Sequence, residues 1–285
     1  MRVAVITRMA EVAVALDARV RELGHETVGV LTTPGPPGRY EDDQPSTGAL
    51  VDAVAPHLDV LVAAGAHRFA ALLAALEPDA ALCGGFPLRI PPEALRVPPL
   101  GIVNGHPSRL PRYRGPNPIA WALRNGDEEL GFTYHRMDED FDTGAILARG
   151  SAPLADVEGP QPLLERILGL ALELLPEALE RLERGDPGLP QPEEGASHAG
   201  FFEPEYAEID WTRPALDVHR QVRAWWSAAV REGPHGPLTE LARERVLVLR
   251  TRLDGAEGGT RVECGDGPIW VVETVPAAQA AASPR

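Results

Sequence analysis

Behind the polar Arg2, apolar residues fill Val3 to Ile6 without interruption and Thr7 closes the run, the pattern of a short strand buried on both faces. Over residues 10–23 the apolar positions shift to helical spacing, and Gly24 supplies a stop. Residues 26–31 return to strand character, so the chain opens as a βαβ unit. Further strands are expected at 58–62, 80–83 and 101–104, with a helical stretch at 69–76 between the first two. Residues 119–124 read as a helix, and 131–137 alternate as a strand. Leucines recur at helical spacing over 162–184; Pro162 suits a first helical position, whereas Pro176 lies inside and predicts a kink or a split. Residues 185–200 are rich in Pro, Gly and Glu and read as a linker. A smaller unit follows over 201–276, with a helix at 215–226 and strand-like runs at 245–249 and 269–275. The tail from 277 to 285 has no hydrophobic pattern and reads as disordered.

This pattern predicts an α/β domain with a mostly parallel sheet over 1–184 and a smaller α+β or barrel-like domain. Open sheets of this kind bind ligands beyond the carboxyl ends of their strands. His106 is expected just past the 101–104 strand, and the 131–137 strand delivers the acidic loop from Asp138 to Asp142 to the same crevice.

Composition narrows the chemistry. The 285 residues carry a net charge of −15, which disfavours broad contact with a phosphate backbone. All 27 basic residues are arginine, which excludes a Schiff-base lysine and a Walker-type phosphate lysine. Cysteine occurs only as Cys83 and Cys264, too few for a disulfide framework or a four-cysteine zinc site. No apolar run is long enough to span a bilayer, and Met1 leads directly into a strand; a cytoplasmic protein without a membrane segment is expected.

Candidate chemistry concentrates in two segments. From Asn104 the chain reads Asn-Gly-His-Pro-Ser-Arg-Leu-Pro-Arg-Tyr-Arg-Gly-Pro-Asn-Pro, and from Met137 it reads Met-Asp-Glu-Asp-Phe-Asp-Thr-Gly. An amide (Asn104), an imidazole (His106) and a carboxylate (Asp142) are complementary. The imidazole titrates near neutrality, the carboxylate fixes its tautomer, and the amide N–H stabilises a developing oxyanion. Such a set suits transfer of an acyl-type carbon to a neutral nucleophile without a metal. Taken alone, Asn-x-His-Pro is also an ordinary turn after a strand.

These residues resemble the Asn-x-His-Pro-Ser-Leu-Leu-Pro segment and the Asp-x-x-x-Asp-Thr-Gly loop of the 10-formyltetrahydrofolate-dependent formyltransferases. The run from Pro78 to Pro91 resembles that family's strand and folate-pocket loop, and Glu208-Ile209-Asp210-Trp211 resembles the opening of the C-terminal domain of its longer members. The resemblance implies a Rossmann-like catalytic domain, 10-formyltetrahydrofolate as formyl donor, no metal, and Asn104, His106 and Asp142 as catalytic residues. It further implies Phe86, Leu88, Ile90, Ser108 and Asp138 as cofactor-binding positions. Pro87, where Gly is common, and Arg109, where Leu is usual, depart from the family pattern. Whether His106 takes the amine proton or polarises the formyl oxygen stays open. His135, on an alternating strand, reads as structural, and Glu139 and Asp140 read as solvated.

For the acceptor, charge favours a small-molecule amine, such as an amino sugar or the precursor of a siderophore or antibiotic. The alternative is methionyl-tRNA. The run beginning Thr33-Pro34-Gly35 resembles the start of the family's basic tRNA-binding insert, but Glu41-Asp42-Asp43 is acidic here, and residues 201–285 hold ten Arg against thirteen Asp and Glu. A 10-formyltetrahydrofolate hydrolase is a further alternative. The second domain is left open between binding substrate and building a homodimer.

Overall fold

A computed structural model describes all residues except 35–46, 55, 155–158, 227–234, 256 and 281–285. The acidic replacement of the basic insert at 41–43 therefore lies outside the described residues. The chain divides into two compact units. The first comprises Met1–Pro116, Leu130–Ala152 and Arg166–His198; the second comprises Asn117–Glu129, Pro153–Glu165 and Ala199–Arg285. Residues 185–198, expected as linker, belong to the first unit.

In the first unit the strands β1 (Arg2–Ile6), β2 (Glu26–Thr32), β3 (Val60–Val62), β4 (Ala80–Gly84), β5 (Ile102–His106), β6 (Glu129–Arg136) and β7 (Ile146–Pro153) form one sheet in the order β3-β2-β1-β4-β5-β6-β7. β3 through β5 are parallel, and β5 pairs with β6 antiparallel. The strand order reverses direction between β1 and β4, the switch point where open α/β sheets leave a crevice.

Both faces of this sheet are buried, and alternate residues serve opposite cores. Val3, Val5, Ala80, Leu82 and Val103 pack with Ala13, Leu16 and Val20 of α1 (Ala10–Glu22), Leu50 and Val54 of α2 (Thr47–Val54), and Leu175, Leu179 and Leu182 of α6 (Pro160–Glu183). Ala4, Ile6, Ala81, Cys83 and Ile102 face the other way, onto Phe69, Leu73 and Leu76 in and after α3 (Ala66–Ala75), with Ala94 of α4 (Pro92–Leu95). This two-sided burial is why β1 reads as continuous apolar residues rather than alternation.

The helix expected to kink or split at Pro176 is not split: it runs as one element from Pro160 to Glu183. Pro176 has no N–H for the carbonyl of Leu172 one turn earlier. That carbonyl instead accepts from Arg19 Nε on α1 at 3.3 Å. The strand expected at 101–104 extends to His106, so His106 is the last residue of β5 rather than lying just beyond it.

The second unit holds α5 (Pro118–Asn125), α7 (Ala215–Ala224) and a four-stranded antiparallel sheet. Its strands are β8 (Leu238–Leu241), β9 (Glu244–Arg252), β10 (Thr260–Cys264) and β11 (Gly267–Pro276), in the order β10-β11-β9-β8. Val218 and Val222 of α7 pack onto Ile269, Val248 and Val271. The tail expected as disordered begins with a helical turn, α8 (Ala277–Ala280); residues 281–285 lie outside the described ones.

Candidate active site

Strand register assembles the polar cluster. In the β5–β6 pair, Asn104 lies opposite His135 and His106 opposite Thr133. Directly opposed residues of an antiparallel pair put their side chains on one face. Asn104 Nδ2 is accordingly 3.1 Å from His135 Nε2, and 3.4 Å from Asp142 Oδ1. His106 Nδ1 and His135 Nε2 each lie 3.5 Å from that same carboxylate oxygen. The other oxygen, Oδ2, accepts the backbone N–H of Gly115 at 2.8 Å. Asn104, His106 and Asp142 are thus brought together as expected, and His135 joins them. Its role was hidden in the sequence because only the register of a long-range strand pair reveals it.

Hydrogen bonding fixes the protons. A carbonyl only accepts, so His106 Nε2–H donates to the Tyr113 carbonyl at 2.8 Å and His135 Nδ1–H donates to the Arg136 carbonyl at 2.9 Å. His135 Nε2 faces both Asn104 Nδ2 at 3.1 Å and Asp142 Oδ1 at 3.5 Å. His106 Nδ1 is then the ring atom free to receive a proton, directly against Asp142.

Burial pushes the His106 imidazole below its ordinary value, opposed by the Asp142 charge and the Tyr113 carbonyl and assisted by His135. Burial alone would raise the Asp142 carboxyl, but His135, the charge of His106 and the Gly115 N–H together hold it below the usual carboxylate range. The resting cluster is therefore a neutral imidazole beside a carboxylate.

The acidic loop is held from several sides. Gly144 accepts no side chain: a Cβ there would stand 1.8 Å from the Arg136 carbonyl oxygen. Asp138 accepts Thr143 Oγ1 at 2.8 and 3.0 Å and the Asp140 N–H at 3.2 Å, so its carboxylate braces the loop internally. Glu139, expected as solvated, pairs with Arg96 at 3.3 Å, and its carbonyl accepts from Arg89. The ring of Phe141, 60% exposed, lies 6.0 Å from the Arg89 guanidinium carbon.

The expected cofactor positions separate into two groups. Ile90 is buried in the second core, and Phe86 is half-buried against it, its ring 5.7 Å from Phe69; Leu88 is half-buried on the same loop. That loop leaves β4 through Gly85, which has φ +58° and sits so close to Met9 Sδ that a Cβ would lie 2.3 Å away. Ser108 points elsewhere. It is buried, and its hydroxyl donates to the Arg112 carbonyl at 2.7 Å, tightening the segment that presents Tyr113 to His106. Among the described residues no group of His, Cys, Asp and Glu has metal-binding geometry, and no helix is long and apolar enough to cross a membrane.

Comparison with known proteins gives this arrangement its family. The formyl transferase family model matches residues 1–179. A methionyl-tRNA formyltransferase of Ruegeria pomeroyi is 35% identical over 269 residues, covering 90% of this chain and 87% of its own length. One from Symbiobacterium thermophilum is 36% identical over 280 residues, covering 93% and 84%. Among solved structures, HypX from Aquifex aeolicus covers 99% of this chain and 47% of its own at a TM-score of 0.69 and 20% identity. The sugar 3N-formyl transferase WlaRD covers 96% and 98% at 0.67 and 13%. At such identities the two structures speak to the fold alone. The chain belongs to the formyl transferase family, whose enzymes move a formyl group from 10-formyltetrahydrofolate.

Proposed function

We propose that this enzyme N-formylates a primary amine and that the amine is the α-amino group of methionyl-tRNA. The observation that carries the acceptor is the extent of the similarity: the Ruegeria methionyl-tRNA formyltransferase aligns over 90% of this chain, beyond the family match at 1–179 and into the second unit. A second reading, a small-molecule amine, rests on charge. Within the second unit Arg124, Arg213, Arg245, Arg250, Arg252 and Arg261 face Glu203, Asp217, Glu208, Glu273, Asp254 and Glu263 respectively. Arginines so neutralised offer little to a phosphate backbone.

10-Formyltetrahydrofolate supplies the formyl carbon. The acceptor nitrogen bonds to that carbon, the bond from the carbon to the folate nitrogen breaks, and one proton passes from the amine to the folate. His106 Nδ1 is the basic atom for that proton, because Nε2–H is committed to the Tyr113 carbonyl. This favours the proton-accepting role over polarisation of the formyl oxygen. Asp142 Oδ1 stabilises the imidazolium that forms. Asn104 supplies an N–H to the formyl oxygen by releasing one of its contacts to His135 or Asp142; one such donor is worth about 3–4 kcal/mol in comparable sites. Phe86 and Leu88 form the apolar wall for the pteridine ring, and Ile90, buried in the core, anchors their loop. Ser108 and Asp138 contribute by holding the two loops.

Tetrahydrofolate release tests the reading, followed spectroscopically against methionyl-tRNA, nucleotide-linked amino sugars, hydroxyornithine-type amines and a no-acceptor control. Turnover with methionyl-tRNA is expected. Turnover confined to one small amine would replace the acceptor, and equal turnover without any acceptor would mean a hydrolase.

A further inference from the structure

Residues 185–198 form a strap against the catalytic cluster. Leu189 exchanges both backbone hydrogen bonds with Ile146 at 2.8 Å, Arg114 N–H donates to the Ser197 carbonyl at 2.9 Å, and Tyr113 N–H donates to Ser197 Oγ at 2.9 Å. Gln191 sits at the centre, half-buried, with its whole hydrogen-bonding capacity in use. Its Nε2 donates to the carbonyls of Asp142 and Gly144 at 2.9 and 2.8 Å, and its Oε1 accepts Nε and Nη2 of Arg114, both at 3.1 Å. One carboxamide therefore ties the loop carrying Asp142 to the loop whose Tyr113 carbonyl orients His106.

We infer that Gln191 is a positioning residue for formyl transfer, clamping the Asp142 backbone so that its carboxylate stands against His106 and His135. Asp142 has φ +58°, a conformation unfavourable for a residue other than glycine, so its backbone needs external restraint. Its Oδ1 lies 3.5 Å from both imidazoles, and small rotations would break either approach. Nothing but an amide of this length serves: a carboxylate cannot donate to two carbonyls, and a thioether donates nothing and accepts only weakly. The inference rests on the formyl-transfer reading above, for either acceptor.

Three variants test it. Gln191→Met keeps the volume and removes the clamp; Gln191→Glu keeps contact with Arg114 but sets an acceptor against two carbonyls; Leu189→Ser changes an exposed side chain on the same strap and serves as control. Both Gln191 variants are expected to lower kcat about 10- to 100-fold with little change in KM for the folate. The acidic limb of the rate profile should move to higher pH as Asp142 loses the partners that depress it. The Gly115 N–H, which Asp142 Oδ2 accepts, should lose protection from hydrogen exchange while the β1 and β4 amides keep theirs. Unchanged kcat and Gly115 protection in both variants would overturn the inference, and so would a uniform loss of protection with proportionate loss of activity. An inactive wild-type enzyme would sink the functional reading, and the Gly115 exchange would still accept or reject the clamp.

Discussion

His106 and Asp142 depend on each other for their ionisation. Burial disfavours the charged form of both; at Asp142 the contacts with His135, His106 and the Gly115 N–H prevail over it, whereas at His106 burial prevails over Asp142 and the Tyr113 carbonyl. Removing the imidazole in His106→Ala should lower kcat about 10²- to 10⁴-fold, read as tetrahydrofolate release, with thermal unfolding little changed. Asp142→Asn should cost as much while keeping the Gly115 contact through its amide oxygen; turnover within a few-fold of wild type would remove Asp142 from proton handling. A second histidine gives a stability signal distant in role from catalysis. Burial, with the charges of Arg223 and Arg220, pushes His219 down to about 4, its Nδ1 hydrogen-bonded with the Thr251 hydroxyl at 2.9 Å. The unfolded chain takes this proton near pH 6.5 and the folded chain only near 4. Stability from this group is thus complete above about 6.5, declines as pH falls between those values, and is lost below about 4. The full loss is at most about 3 kcal/mol. Urea titrations at pH 7 and 4.5 should show His219→Gln flattening part of the pH dependence; parallel curves for variant and wild type would refute the assignment.

Helix α6 shows how one element tolerates a residue that should divide it. Its apolar face, with Leu175, Ala178 and Leu179 around Pro176, is buried against the sheet, and that packing outweighs the missing hydrogen bond. The orphaned Leu172 carbonyl is met by Arg19. Pro176→Ala should restore the helical bond and raise unfolding free energy by about 1–2 kcal/mol, less than the full proline penalty because the unfolded chain also gains freedom. Arg19→Met should cost about 1 kcal/mol in the wild type and less beside Pro176→Ala, a coupling measurable by a double-mutant cycle. Local pattern announced β1, α1, β2, β4 and α6, because each carries a strong period or a continuous apolar run. It did not announce β7, where Arg149 and Gly150 interrupt an edge strand, nor β8 and β10, short and half-exposed. Asn104, His106 and Asp142 were legible as chemistry in motif form. His135 and Gln191 were not, since one depends on antiparallel register and the other on a Pro- and Gly-rich segment folding back along the site.

Across the whole molecule, a net charge of −15 bears on any tRNA encounter. Electrostatic affinity for a phosphate backbone arises from counterions released by unpaired cations, and log affinity falls with log salt in proportion to the contacts made. In the second unit six arginines already face carboxylates, so tRNA contact there would first have to break intramolecular pairs. Exposed pairs of this kind contribute little to folding, but the carboxylate in each cancels most of the attraction its arginine can exert at a distance. Recognition of methionyl-tRNA would then rest on the aminoacyl end, where the primary amine meets His106, rather than on the backbone. The expected consequence is a weak salt dependence: raising monovalent salt from 50 to 200 mM should weaken methionyl-tRNA binding no more than about tenfold, corresponding to about two phosphate contacts. Binding measured by fluorescence anisotropy across that range decides the matter. A loss of a thousandfold or more would mean that a basic surface, not the aminoacyl end, governs the encounter.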